Sequence, residues 1–76
     1  MARLTPVHFR KLTKVFEKEG WILVGQTGDH LEYKKEGFKR RVVIPRYKDV
    51  PVFVIENNLR TAGISRKDYL KLLKRV

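Results

Sequence analysis

Phe9, Leu12, Val15 and Phe16 recur at helical spacing, while Arg10, Lys11, Lys14 and Lys18 fall largely outside that stripe. Thr5 is a favourable N-cap, and Pro6 suits the first helical position because its missing N–H would be unpaired there anyway. Gly20 can take the left-handed conformation that stops a helix. The spacing predicts a first helix from about Pro6 to Glu19. The period then changes. Trp21–Val24 is continuously apolar, the pattern of a central strand covered on both faces, and Gly25–Gly28 predicts a turn. From His30 to Lys35 the chain alternates, with Leu31 and Tyr33 set against His30, Glu32 and Lys34. Glu36-Gly37 predicts a hairpin turn and Phe38–Ile44 a third strand closed by Pro45. Arg46–Val50 reads as a loop.

The stretch after Pro51 carries two signals. Val52–Ile55 has the β-branched composition of a strand, yet Val52, Ile55, Leu59 and Ala62 mark one helical face. Gly63 after Ala62 is a helix stop, with Ile64 placed for the hydrophobic contact that closes such an end. The helical reading is adopted, from about Val52 to Ala62. Ser65 then caps a last helix, with Asp68 three residues on, and Tyr69, Leu70, Leu72 and Leu73 give its packing face. The order α-β-β-β-α-α predicts an α+β fold: a three-stranded antiparallel sheet with helices on one face and the other face free. The whole chain, residues 1–76, reads as one domain, with no linker, repeat or low-complexity segment.

Charge changes the picture more than size does. The 76 residues hold 18 Lys and Arg against 8 Asp and Glu, a formal +10. So basic a surface attracts polyanions by long-range steering and counterion release, with nucleic acid the first candidate and an acidic protein the second. A basic surface that serves solubility alone is the bland alternative. The absence of cysteine excludes disulfides and thiolate zinc sites. Apolar runs are far too short to span a bilayer or to act as a secretion signal, so a soluble, cytoplasmic protein is expected.

Between Lys34 and Lys48 lie seven basic residues, Lys34, Lys35, Lys39, Arg40, Arg41, Arg46 and Lys48, opposed only by Glu36. A two-residue turn at Glu36-Gly37 pairs Lys35 with Phe38, Tyr33 with Arg40 and Leu31 with Val42, and makes those the core face. His30, Glu32, Lys34, Lys39, Arg41 and Val43 then share the outer face; a slip of one residue would reverse it. Cations that merely keep a sheet edge from aggregating are the bland reading of this hairpin. His30 follows the glycine-rich turn and is placed among cations, the arrangement that phosphodiester cleavage uses. RNA brings its own nucleophile, the 2′-OH; a histidine titrating near the usual ~6.5 can take that proton, and nearby Lys or Arg can hold the phosphate. A lone turn histidine is, on spacing alone, more often inert. No serine or threonine nucleophile has a base and an orienting acid at recognisable spacing. Asp29, His30 and Glu32 make a poor metal set because alternation points Asp29 away, and no phosphate-cradling glycine motif precedes a helix. No metal and no cofactor are expected.

Taken in order, four segments resemble the HicA (YcfA-like) toxins of toxin–antitoxin systems. They are a helix ending in Gly20 before Trp21 and Leu23-Val24; Gly28-x-His30-x-x-Tyr33; Arg40-Arg41-Val42-Val43-Ile44-Pro45; and Leu59-Arg60-x-Ala62-Gly63-Ile64-Ser65. The resemblance implies a double-stranded-RNA-binding-domain-like fold and an mRNA endonuclease (mRNA interferase) that is neutralised by a HicB-like acidic antitoxin. It places the motif histidine, the catalytic residue, on His30. The residues expected to bind RNA are Gly28, Lys34, Lys39, Arg40, Arg41, Arg46 and Lys48, in a chain that is monomeric when free. The sequence departs from the family at Asp29, where a small residue is usual, and at Leu31, where many members carry a second histidine. Two non-catalytic alternatives remain: a double-stranded-RNA-binding module, which lacks the expected cation in Pro51–Val54, and a helix-turn-helix built on Asn58–Ser65 and Tyr69-Leu70.

Overall fold

The computed structural model describes residues 3–76. Its elements are α1 (Phe9–Lys18), β1 (Ile22–Thr27), β2 (His30–Lys34), β3 (Val42–Pro45), α2 (Val52–Ala62) and α3 (Arg66–Leu73). The strands form one antiparallel sheet in the order β1-β2-β3. The helices pack on one face of it, α1 and α2 both lying against β3 and α3 against α1. The α+β class and the element order are those read from the sequence.

The core forms where the helical stripe meets the alternating strands. Leu12, Val15 and Phe16 of α1 bury completely against Leu31, Tyr33, Val42 and Ile44 of the sheet, with Ile55 and Leu59 of α2 and Tyr69 of α3 closing the layer. Trp21 is the joint between layers. It meets Phe16 edge-on at 6.4 Å and Phe38 at 5.0 Å between ring centroids. Burying aromatic rings of this size is the main stabilising term available to so small a chain.

The end of α2 and the start of α3 close as their residues predict. Gly63 takes φ +68°, its N–H donates to the Arg60 carbonyl at 3.3 Å, and the Ile64 N–H donates to the Leu59 carbonyl at 3.0 Å. That pair of bonds is a Schellman closure. Ser65 Oγ accepts from the Asp68 N–H at 3.1 Å and caps α3.

Three expectations are corrected by the fold. The first helix starts at Phe9, not Pro6. Val7 instead stays extended and pairs with Val50, accepting from its N–H at 2.7 Å, and His8 becomes the cap, its Nδ1 accepting from the Arg10 N–H at 3.2 Å. The strand after Trp21 is an edge, not a centre. Ile22, Leu23 and Val24 are 67%, 50% and 48% exposed, because the helices lie over the β3 side of the sheet and Trp21 alone carries this segment into the core.

The third correction concerns register. The hairpin turn closes as expected, the Phe38 N–H donating to the Lys35 carbonyl at 3.2 Å. Lys39, Arg40 and Arg41 then bend away, and pairing resumes with Tyr33 opposite Val42 and Leu31 opposite Ile44. The expected partners were Arg40 and Val42, so β3 has slipped by two residues. The physical reason is burial: this register puts Val42 and Ile44 into the core where the other would have put Arg40. A slip of two preserves side-chain parity, so each strand keeps the face assigned to it.

Candidate active site

A two-residue turn fixes where His30 stands. β1 continues through Gly25 to Thr27, with an irregularity between Leu23 and Gly25 that leaves Val24 unpaired, and Thr27 pairs with His30. The turn residues are therefore Gly28 and Asp29. Gly28 has φ +56° and no non-glycine residue among those described has positive φ, which is the pattern of a II′ turn with glycine at its first central position. The Asp29 carbonyl accepts from the Arg46 N–H, at 2.6 Å, and the Gly28 carbonyl accepts from Gln26 Nε2 at 3.1 Å. Bonds on both sides of the turn thus hold the first residue of the central strand. The sequence pattern predicts this turn at Gly25–Gly28; the irregularity at Val24 lets β1 run on to Thr27 instead.

The pairings lay out the outer sheet face in rows. Thr27, His30 and Pro45 form one row, and Gly25, Glu32 and Val43 the next; Ile22 and Lys34 follow. His30 is exposed at the turn end of this face. Glu32 sits at its centre, one carboxylate oxygen accepting from Arg41 Nη1 at 2.8 Å and the other from Thr27 Oγ1 at 3.1 Å. The Arg41 bond, then the Thr27 bond, holds the Glu32 carboxyl below the usual carboxylate range. Arg41 is on the expected face, but its charge is balanced locally.

The remaining residues expected to bind RNA divide among several places. Lys34 lies on the outer face with His30. Lys39 leaves that face for a cleft beside α2, together with Arg40. Arg46 packs on the helix side, its guanidinium 5.6 Å from the centroid of the Phe9 ring. Lys48 is exposed in the loop before α2. A Cβ at Gly28 would meet nothing within 4 Å, so glycine is needed there for its backbone conformation and not for a close approach. Among the described residues no group of three His, Cys, Asp or Glu side chains gathers.

Sequence reasoning missed Thr27 and Arg60. The pairing of Thr27 with His30 was hidden by the misplaced turn. Arg60 joins Lys39 and Arg40 through the packing of α2 beside β3, for which no local signal exists. The arrangement offers an outward-facing imidazole on a braced strand end, beside a hydroxyl and a neutralised ion pair, with cations set further off.

No curated protein and no solved structure matches the chain. A family model described as the HicA toxin of bacterial toxin–antitoxin systems matches residues 9–64, from the start of α1 to the closure of α2. The match contains the turn, His30, the whole sheet and Arg60, and on that span the chain belongs to the HicA toxin family.

Proposed function

We propose that the protein is an endoribonuclease of the mRNA-interferase type, working in the cytoplasm without a metal ion, with His30 as its catalytic residue. The observation that carries this reading is the placement of His30: exposed, outward, and at the first position of a central strand whose turn is braced from both sides. The imidazole accepts the proton of a ribose 2′-OH; O2′ bonds to the adjacent phosphorus, and the bond from phosphorus to the 5′ oxygen breaks. The leaving oxygen takes a proton from solvent, which reaches this open face. The products are a 2′,3′-cyclic phosphate and a 5′-hydroxyl. Lys34 shares this face, has no carboxylate partner among the described residues, and is a candidate for offsetting phosphate charge.

The same reading gives the protein a HicB-like acidic antitoxin as partner and leaves the free chain monomeric. A surface of +10 speeds association with an acidic protein and orients it. Long single-stranded RNA, incubated with and without a chelator, tests the proposal. Fragments are expected in both cases, and His30→Ala is expected to slow their formation by ~10²–10⁴ with the thermal midpoint unchanged. A variant that cuts within a few-fold of the parent would remove His30 from the mechanism. Tight duplex binding with no cleavage would favour a non-catalytic module instead.

A further inference from the structure

Lys39, Arg40 and Arg41 are consecutive, but they do not act alike. Arg41 turns to the outer face and meets Glu32. Lys39 and Arg40 turn the other way, into a cleft of about 540 Å³ whose far wall is Asn57, Arg60 and Thr61 of α2 and whose apolar side is Phe38. Among the described residues no acidic side chain lines it. Among the described residues the ion pairs are Arg41 with Glu32 and Arg66 with Glu56, which leaves Lys39, Arg40 and Arg60 without a carboxylate. Lys35 adds to the field, its ammonium 5.6 Å from the centroid of the Phe38 ring.

Three uncompensated cations drawn together from two separate elements repel one another unless an anion joins them. The uncharged groups suit the same ligand. Arg60 Nη1 donates to Asn57 Oδ1 at 3.4 Å, which leaves the Asn57 amide NH₂ free to donate, and Asn57 and Thr61 both line the cleft. Guanidinium forks bind phosphate oxygens bidentately, and an amide or hydroxyl donor completes such a site. Phe38 is held by Trp21, so the wall that carries Lys39 and Arg40 is anchored to the core.

The cleft is remote from His30. The four residue steps of β2 from His30 to Lys34 span ~13 Å at ~3.3 Å each, and the cleft lies beyond that end of the strand. At ~3.4 Å per stacked nucleotide this is roughly four nucleotides of a single strand. Resting on the RNA-cleaving function proposed above, the geometry points to a second, phosphate-gripping subsite for the RNA chain, formed by Lys39, Arg40 and Arg60 with Asn57 and Thr61, about four or more nucleotides from the bond that is cut. Substrates must then be long enough to reach both places, and short ones lose the grip that the cleft provides.

The test uses a twelve-nucleotide single-stranded RNA carrying 2′-O-methyl groups throughout. It cannot be cut, so the result does not depend on His30. Backbone amide shifts are followed on titration, and affinity is measured across a salt series for the parent and for Arg40→Gln with Arg60→Gln. Thermal midpoints confirm that the exposed substitutions leave the fold intact. The expected result is that amides of residues 38–40 and 57–61 shift, and that the double variant flattens the slope of log affinity against log salt by ~1.4, at ~0.7 for each phosphate no longer neutralised. A three-nucleotide RNA is expected to bind at least tenfold more weakly than the twelve-nucleotide one. Shifts confined to the outer sheet face, with an unchanged slope, overturn the subsite but not the RNA reading. Shifts in the cleft with an acidic peptide and not with RNA overturn it in favour of a protein partner. No RNA binding anywhere overturns both proposals.

Discussion

If the outer face binds RNA as proposed, the ion pair with Glu32 is expected to govern what Arg41 contributes, and this can be tested by changing each charge separately and then both. In the parent, Glu32 accepts from Arg41 at 2.8 Å and from Thr27 at 3.1 Å, and its lowered pKa keeps it ionised at neutral pH. The pair is therefore neutral beside the row that holds His30. Glu32→Gln keeps the shape of the side chain and removes its charge, which frees one guanidinium on the outer face. RNA affinity is expected to rise, and the slope of log affinity against log salt to steepen by ~0.7, the value of one further single-strand phosphate neutralised. Arg41→Gln leaves the carboxylate bare and is expected to weaken binding. The double variant returns the face to neutrality and is expected to bind as the parent does. Salt-series titration of the uncleavable twelve-nucleotide RNA measures all four proteins. If Glu32→Gln changes nothing while Arg41→Gln alone flattens the slope by ~0.7, Arg41 already leaves Glu32 for the phosphate, and the ion pair does not hold in the complex. Acid does not substitute for the mutation at ordinary pH, because Glu32 takes a proton only below the usual carboxylate range.

Three further outcomes follow from the geometry. Gly28→Ala places an L-residue at φ +56°, which costs about 1–2 kcal/mol; a thermal midpoint lower by several degrees is expected, with RNA cleavage reduced because the turn positions His30, and an unchanged midpoint would refute the strained turn. Burial pushes the Tyr69 hydroxyl up to about 12 from 10.0. The folded state thus keeps a proton that the unfolded chain gives up, so stability is full below pH 10 and falls as pH rises towards 12; Tyr69→Phe is expected to move alkaline unfolding to higher pH, and no movement in urea titrations across that window would refute it. Val24→Lys falls on an exposed edge and is expected to change stability by less than about 0.5 kcal/mol; a variant that unfolds would restore the central strand expected from the apolar run.

What could be read from the sequence depended on whether the signal was local. The junction of α2 and α3 was legible to the residue, because Gly63, Ile64, Ser65 and Asp68 each act on neighbours a few positions away. The start of α1 was not, since the preference of Thr5 and Pro6 for a helix start yields to a backbone pair between Val7 and Val50, far apart in the chain. The continuous apolar run Trp21–Val24 misled for a similar reason. A covered central strand and an edge left bare by the helices have the same composition, and the packing of α1 and α2 over β3 decides between them. The outer face was legible in spite of a wrong register. Parity assigned His30, Glu32, Lys34 and Arg41 together, and a two-residue slip leaves parity intact. The same slip expelled Lys39 from that face, because its cost falls on the residues that bend out before pairing resumes.

The distribution of charge then separates two tasks that composition had merged. Counting seven cations along the hairpin suggested that His30 stands in a strongly positive field. On the outer face Glu32 cancels Arg41, Arg46 lies against Phe9 on the helix side, and Lys39 and Arg40 meet Arg60 in the cleft. Lys34 alone remains on the histidine's own face without a carboxylate among the described residues. On the function proposed above, a polyanion would be drawn first towards the cleft end of the molecule, and the exposed imidazole at the other end of β2 would act on the segment of chain that the grip brings across it. An acidic antitoxin, the partner proposed above, would meet the same field. If charge steers it, it arrives at the cleft, and to cover His30 as well it has to extend along the ~13 Å of β2 between them. Among the described residues no helix lies on the sheet face that it would cross, and the middle row of that face holds Gly25, a neutralised Glu32 and the half-exposed Val43: a nearly uncharged track between a cationic end and a histidine end.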